Sequence, residues 1–63
     1  AALTEREVDV LRLVARARRN KEIARELGIS TATVKSHLST ILAKIGVEDR
    51  VGAAVWAEQH GIR

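Results

Sequence analysis

The side chains best placed to meet another molecule lie between Ser30 and Gly46, a run that holds hydroxyls, one imidazole and two lysines but no carboxylate. Set on a helix, Ala32, Lys35, Ser36 and Ser39 recur at i, i+3, i+4 and i+7, with Thr33, His37, Thr40 and Lys44 as a flanking row. All but Ala32 can donate hydrogen bonds, and the small residues permit close approach. Such a face suits the acceptor-rich edges and phosphates of a DNA major groove. An ordinary solvated helix would carry the same residue types, so the pattern needs support from the rest of the chain. Catalysis has less to work with. There is no cysteine and no glycine-rich phosphate loop, and the two histidines, His37 and His60, have no carboxylate at catalytic or metal-ligand spacing. His37 is adjacent to Ser36, but neighbours on a helix point about 100° apart and make no dyad. The sequence therefore speaks against an enzyme, and no catalytic residue, metal, cofactor or small-molecule substrate is expected.

The elements that must position this face follow from periodicity and capping. Val34, Leu38, Ile41, Leu42 and Ile45 form the opposite, apolar stripe of the same helix, which Ser30 caps and Gly46 ends. Upstream, Thr4 with Glu7 makes a capping box and Leu3 with Val8 a hydrophobic staple. These predict a first helix from Glu5 to about Arg16 or Ala17, with Val10, Leu11, Val14 and Ala15 turned inward. Asn20 is expected to cap a second helix, Lys21 to Leu27, burying Ile23, Ala24 and Leu27. Gly28 ends that helix and Ile29 plugs the turn, so two helices follow one another across about three residues, the helix-turn-helix arrangement in which the second helix reads DNA. Asp49 is expected to cap a fourth helix from Arg50 to about His60, closed by Gly61. There Ala53 and Ala57 allow close packing and Ile62 folds back over them. Val51, Val55 and Trp56 are left on other sides, more apolar surface than a solitary helix needs. A two-fold contact through this helix fits them, although some of the three would equally finish a core. The fold expected is all-α, a compact four-helix bundle over residues 1–63 containing a helix-turn-helix.

Size and charge set further bounds. A chain of 63 residues buries only about 60% of its unfolded surface and gains from a partner subunit, neighbouring domain or ligand. It opens on Ala1 rather than Met and shows no linker, as expected of a domain cut from a longer chain. No apolar run is long enough to span a membrane and no signal-peptide pattern opens the chain, so a cytoplasmic location without membrane contact is expected. The formal net charge is +3, which favours acidic partners. Five basic residues (Arg12, Arg16, Arg18, Arg19, Lys21) and no acid lie between Val10 and Lys21, and no acid lies between Leu27 and Val47. The carboxylates gather mostly near helix starts, where they offset helix dipoles and leave two stretches clear for an anion. Arginines in a last turn also complement a dipole, so part of the first cluster has a purely structural explanation.

Taken together, LTEREVDVLRLVA, NKEIARELGIS, TVKSHLSTILAKIGV and DRVGAAVWAEQHG, in that order and at that spacing, closely resemble the LuxR-type (NarL/FixJ-type) DNA-binding domain of bacterial transcription regulators. The resemblance spans essentially the whole chain. It implies a four-helix bundle whose third helix enters the major groove and whose fourth pairs two copies on an inverted-repeat operator. It also implies a covalently linked regulatory domain beyond this chain, often the receiver of a two-component response regulator. By resemblance Lys35, Ser36 and Ser39 are base-reading positions. Lysine can donate to guanine O6 and N7, whereas the serines work only by close approach or through water. Lys21, Thr31, Thr33, His37, Thr40 and Lys44 would hold the phosphate backbone, Lys21 and Thr31 beside free N–H groups at helix starts.

Two departures from the family pattern stand out. Many members have Gly, Leu and Ser where this chain has Ala17, Arg18 and Arg19. The change removes an easy left-handed helix stop and an apolar plug, leaving the conformation of residues 16–20 open. Arg18 can instead lay its stem across the core edge with its guanidinium in water. Family members often carry a longer polar residue in place of Ser39, so modest intrinsic specificity is expected. Two other functions compete. The promoter-reading end of a sigma factor shares a similar helix-turn-helix, but the capped fourth helix disfavours it. A dimerisation module without DNA would lack steep salt sensitivity on duplex DNA.

Overall fold

The computed structural model describes residues 2–63. Four helices follow in order: α1 (Glu5–Ala15), α2 (Asn20–Leu27), α3 (Thr31–Ile45) and α4 (Arg50–Gln59). None is long and apolar enough to cross a membrane. α1 is the hub, packing chiefly against α4 and then α3, while α2 lies mainly on α3. Val10, Leu11, Leu13 and Val14 of α1 meet Ile23 and Ala24 of α2, Val34 and Ile41 of α3, and Ala53 and Ala57 of α4 in one core. The α3 stripe is as the periodicity predicts, Val34 and Ile41 fully enclosed and Leu38, Leu42 and Ile45 half-buried at the edge.

Each helix start spends a side chain on otherwise unpaired N–H groups. Thr4 Oγ1 accepts from Glu7 N–H at 3.2 Å while Thr4 N–H donates to Glu7 Oε1 at 2.9 Å, the expected capping box. Ser30 Oγ accepts from Thr33 N–H at 3.1 Å and Asp49 Oδ1 from Gly52 N–H at 2.8 Å. The second helix differs from expectation. It begins one residue early, with Arg19 as N-cap and the Glu22 carboxylate accepting from Arg19 N–H at 2.8 Å. Asn20 is unavailable as a cap because its Oδ1 accepts instead from Arg50 Nη1 at 2.5 Å. The other arm of that guanidinium donates to the Arg18 carbonyl. Arg50 thus fastens the start of α4 to the α1–α2 turn.

All four helices end in the same way. A residue in the left-handed region follows the last turn, and the next N–H reaches back to a carbonyl five positions earlier: Ile29 to Ala24, Val47 to Leu42 and Ile62 to Ala57, at 3.0, 3.1 and 2.8 Å. At those three ends the left-handed residue is glycine and the residue after it is an apolar, half-buried one. α1 ends sooner than expected, at Ala15, and makes the same closure without glycine. Ala17 takes φ 62° and Arg18 N–H donates to Leu13 O at 3.0 Å. The stop survives because the hydrogen bonds demand it, at the steric cost of a Cβ in left-handed backbone. Arg18 occupies the plug position exposed, its guanidinium 3.7 Å from Glu26 Oε1.

The one charged side chain buried among the described residues is Glu7. Its Oε1 accepts not only from Thr4 but from Lys44 Nζ at 2.7 Å, and Lys44 also donates to the Ala2 carbonyl at 3.2 Å. The Lys44 hydrogen bond, followed by that from the Thr4 backbone, holds the Glu7 carboxyl below the usual carboxylate range against the opposing effect of burial.

Two outcomes follow from these contacts. Ala17→Gly should raise stability by about 0.5–1 kcal/mol. Relief of a left-handed alanine returns about 1–2 kcal/mol, and the freer unfolded chain takes back about 0.4–1; an unmoved or lower urea midpoint would contradict it. A carboxylate with a lowered folded pKa contributes stability fully above its unfolded value, about pH 4.3, and loses it as pH falls through the folded value. Glu7→Gln should therefore give a shallower loss of stability on acidification from about pH 5 to 3; parallel curves for parent and variant would exclude the linkage.

Candidate nucleic-acid interface

α2 and α3 are joined by Gly28, Ile29 and Ser30 alone. Gly28 turns the chain in left-handed backbone at φ 67°, Ile29 packs on the core edge and Ser30 caps the next helix. This fixes α3 with its apolar stripe inward and its opposite face outward. Over 15 residues it extends about 22 Å at 1.5 Å per residue, enough to lie along a major groove about 12 Å wide.

On that outward face Ala32, Lys35, Ser36 and Ser39 are all exposed and share one stripe. None of the three polar side chains takes an internal hydrogen-bond partner among the described residues, so their donors are directed to solvent. Thr31 and Lys21 are exposed in the first turns of α3 and α2. The flanking row is more committed. The Thr33 hydroxyl shares a 2.9 Å hydrogen bond with Ser30 Oγ at the cap. The Thr40 hydroxyl donates to its own helix at Ser36 O, 3.2 Å away, and must rotate before it can donate outward. His37 is half-buried at the border of the stripe.

Lys44 stands apart from the other candidate phosphate contacts. Its side chain is 21% exposed and its ammonium is held by Glu7 and Ala2 on the side of α3 that meets α1. Sequence patterning assigned Lys44 to the flanking row and Glu7 to the cap alone, so it missed their contact. A signal was present, since Lys44 lies three residues after buried Ile41 and Glu7 three before buried Val10, each bordering an inward stripe.

The arginine cluster is likewise partly internal. Arg12 pairs with Asp9 at 3.4 Å, Arg18 with Glu26 at 3.7 Å, and Arg16 donates to the Arg63 carbonyl at 3.2 Å. These partly exposed pairs contribute little to stability. Arg19 and Lys21 remain exposed, beside the start of α2.

α4 presents a second surface of different chemistry. Val51 and Val55, one turn apart, are 72% and 51% exposed, while Ala53 and Ala57 are fully buried on the other side. Trp56 is half-buried against the core edge and stacks on His60, ring centroids 3.8 Å apart and planes 14° from parallel. His60 Nδ1 lies 2.8 Å from the Trp56 carbonyl, so the imidazole caps the helix end and covers one face of the indole.

The profile of the bacterial regulatory proteins of the luxR family (GerE) matches residues 1–57. The transcriptional regulatory protein LiaR of Bacillus subtilis is 48% identical over 59 residues, which are 94% of this chain and 28% of LiaR. The response regulator protein VraR of Staphylococcus aureus is 47% identical over 60 residues, 95% of this chain and 29% of VraR. Among solved structures, the crystal structure of response regulator ChrA in a heme-sensing two-component system aligns with TM-score 0.90 and 38% identity, over 100% of this chain and 31% of ChrA. The chain thus spans less than a third of each of these relatives. Profile, identity and backbone agree on one helix-turn-helix architecture, and the chain belongs to the luxR family of bacterial regulatory proteins.

Proposed function

We propose that the protein is the duplex-DNA-reading domain of a transcription regulator, with α3 seated in the major groove. The observation that carries this is the outward face of α3, free of acids, lined by small residues and bearing Lys35, Ser36 and Ser39 with their donors unspent. A groove of nitrogen and oxygen acceptors supplies what those donors lack. Lys35 has the reach for a base edge or a phosphate, and Ser36 and Ser39 bring the helix close enough for direct or water-mediated contact. Lys21, Thr31, Thr33, His37 and Thr40 flank that face and would hold the backbone, fixing register without choosing sequence. Lys44 is left out of this set because its ammonium is already engaged.

Two copies on an inverted repeat, joined through α4, extend the proposal. The exposed Val51 and Val55 with Trp56 beside them form an apolar strip that a two-fold axis would cover. VraR and ChrA are named as response regulators, and they and LiaR are each more than three times as long as this chain, which supports a covalently linked receiver as the switch and a cytoplasmic site of action.

Selection of bound duplexes from a random pool tests the reading directly. The parent should enrich a defined inverted repeat, and Lys35→Ala should weaken binding to it by about 1–3 kcal/mol while relaxing preference at one base position. An unaltered base preference would make Lys35 a phosphate contact. Val55→Glu, at an exposed position where folding tolerates change to within about 0.5 kcal/mol, should leave one copy per two-site duplex in sedimentation. Two cooperatively bound copies would exclude α4 as the joint.

A further inference from the structure

Lys44 and Glu7 join the last turn of α3 to the first turn of α1, 37 positions apart in sequence. The rest of the grip on α3 is apolar, and apolar burial is not directional. Val34 and Ile41 are the only side chains of α3 that are fully enclosed. Packing sets which stripe faces inward, but it opposes a small roll about the helix axis less sharply than a directional bond does. With side chains about 5–6 Å from the axis, a roll of roughly 20° would carry Lys35 and Ser39 about 2 Å sideways, more than a hydrogen bond to a base edge tolerates. A charge-assisted hydrogen bond of 2.7 Å resists such movement because it weakens steeply with distance and angle. The Ala2 carbonyl, 3.2 Å from the same ammonium, fixes it from a second direction.

We propose that the Glu7–Lys44 pair is a register clamp for the DNA-reading helix, so that Lys44 is a positioning residue for base recognition rather than a phosphate ligand. The inference rests on α3 being the helix that reads the duplex. A phosphate ligand at this position would need a free ammonium directed outward, whereas Lys44 is directed at α1 and its partner is the one carboxylate buried among the described residues. Glu7 never meets DNA in this arrangement, yet its loss should be felt there. No such effect is expected if Lys44 binds phosphate on its own.

The test measures affinity of the 63-residue chain and its Glu7→Gln, Lys44→Met and doubly substituted variants for the selected duplex and for an unrelated duplex, over a range of salt. Each is titrated at a temperature where its helical circular dichroism equals that of the parent, with Glu7→Asp replacing Glu7→Gln should the latter not fold. Both single variants should lose roughly tenfold on the selected duplex, the scale of one base contact, and little on the unrelated one. The slope of log affinity against log salt should stay that of the parent. The double variant should be no worse than either single one, and Lys44→Arg should recover most of the loss. A slope lower by about one unit for Lys44→Met, with Glu7→Gln binding as the parent does, would make Lys44 a phosphate contact and overturn the clamp. Single variants that are less stable but bind as the parent does would overturn it equally, leaving the pair a stability element only. Failure of the parent to bind either duplex would instead remove the DNA reading on which the clamp depends.

Discussion

A helix that presents a reading face, the role proposed for α3, must be held from one side only. α3 has to be anchored firmly enough to present fixed donors, while the face that carries them stays uncovered, and that requirement shapes the other three helices. α1, α2 and α4 all pack against α3 on its inward side, and α4 also packs closely on α1. No element crosses the outward stripe, where Ala32, Lys35, Ser36 and Ser39 are all exposed. The cost is a shallow seat: the stripe encloses Val34 and Ile41 completely and leaves Leu38, Leu42 and Ile45 at the rim. A domain of this size has few apolar side chains to add, so directional contacts take over part of the restraint.

Those contacts sit where the helices are least well held by packing, at their ends. Arg50 bridges the start of α4 to Asn20 and to the Arg18 carbonyl, and Lys44 bridges the end of α3 to Glu7 and the Ala2 carbonyl. Arg50 stands in for contacts that local sequence would otherwise supply, whereas Lys44 adds to helix ends whose own caps are complete. Arg50 occupies Asn20, so α2 falls back on Glu22 and Arg19 for its cap. The α1–α2 turn is also where the apolar plug is missing, because Arg18 stands exposed in its place. A guanidinium that binds the backbone of that turn compensates for absent hydrophobic contact with hydrogen bonds.

Local signals therefore made the architecture legible and long-range ones did not. Thr4 with Glu7, Ser30 and Asp49 cap where their residue types predict, since the cap partner lies three residues away. Gly28, Gly46 and Gly61 end their helices for an equally local reason. Ala17 was the uncertain position, and the answer came from outside its residue type: Leu13 and Val14 must be buried and their carbonyls satisfied, so the chain turns left-handed even with a Cβ. Asn20 does not cap α2 because it is engaged by Arg50, thirty residues distant, and Lys44 does not join the outward row because its partner Glu7 lies near the other end of the sequence. The exposed stripe of α3 and the apolar strip of α4 needed only helical periodicity. Whether a polar residue at the edge of a stripe faces inward depends on tertiary partners, which periodicity does not encode.

The distribution of engaged and free cations bears on how the proposed reading face would meet DNA. Arg12, Arg18 and Lys44 are each paired with a carboxylate, and Arg16 and Arg50 donate to carbonyl oxygens within the fold. Among the described residues this leaves Lys35 on the outward face of α3, with Lys21 and Arg25 on α2 and Arg19 at its start also exposed. Neutral hydroxyls and backbone amides can position a phosphate, but counterion release, the main source of affinity for duplex DNA, scales with the cations that neutralise phosphates. The outward face of α3 in a single copy thus offers one free lysine, with only short side chains beside it to read with. Two copies joined as proposed would double both resources, and the second would bind at the high effective concentration set by the joint. On that proposal the exposed valines of α4 would matter to recognition as the lysine of α3 does: pairing would supply the affinity that a sparsely charged reading face cannot reach alone.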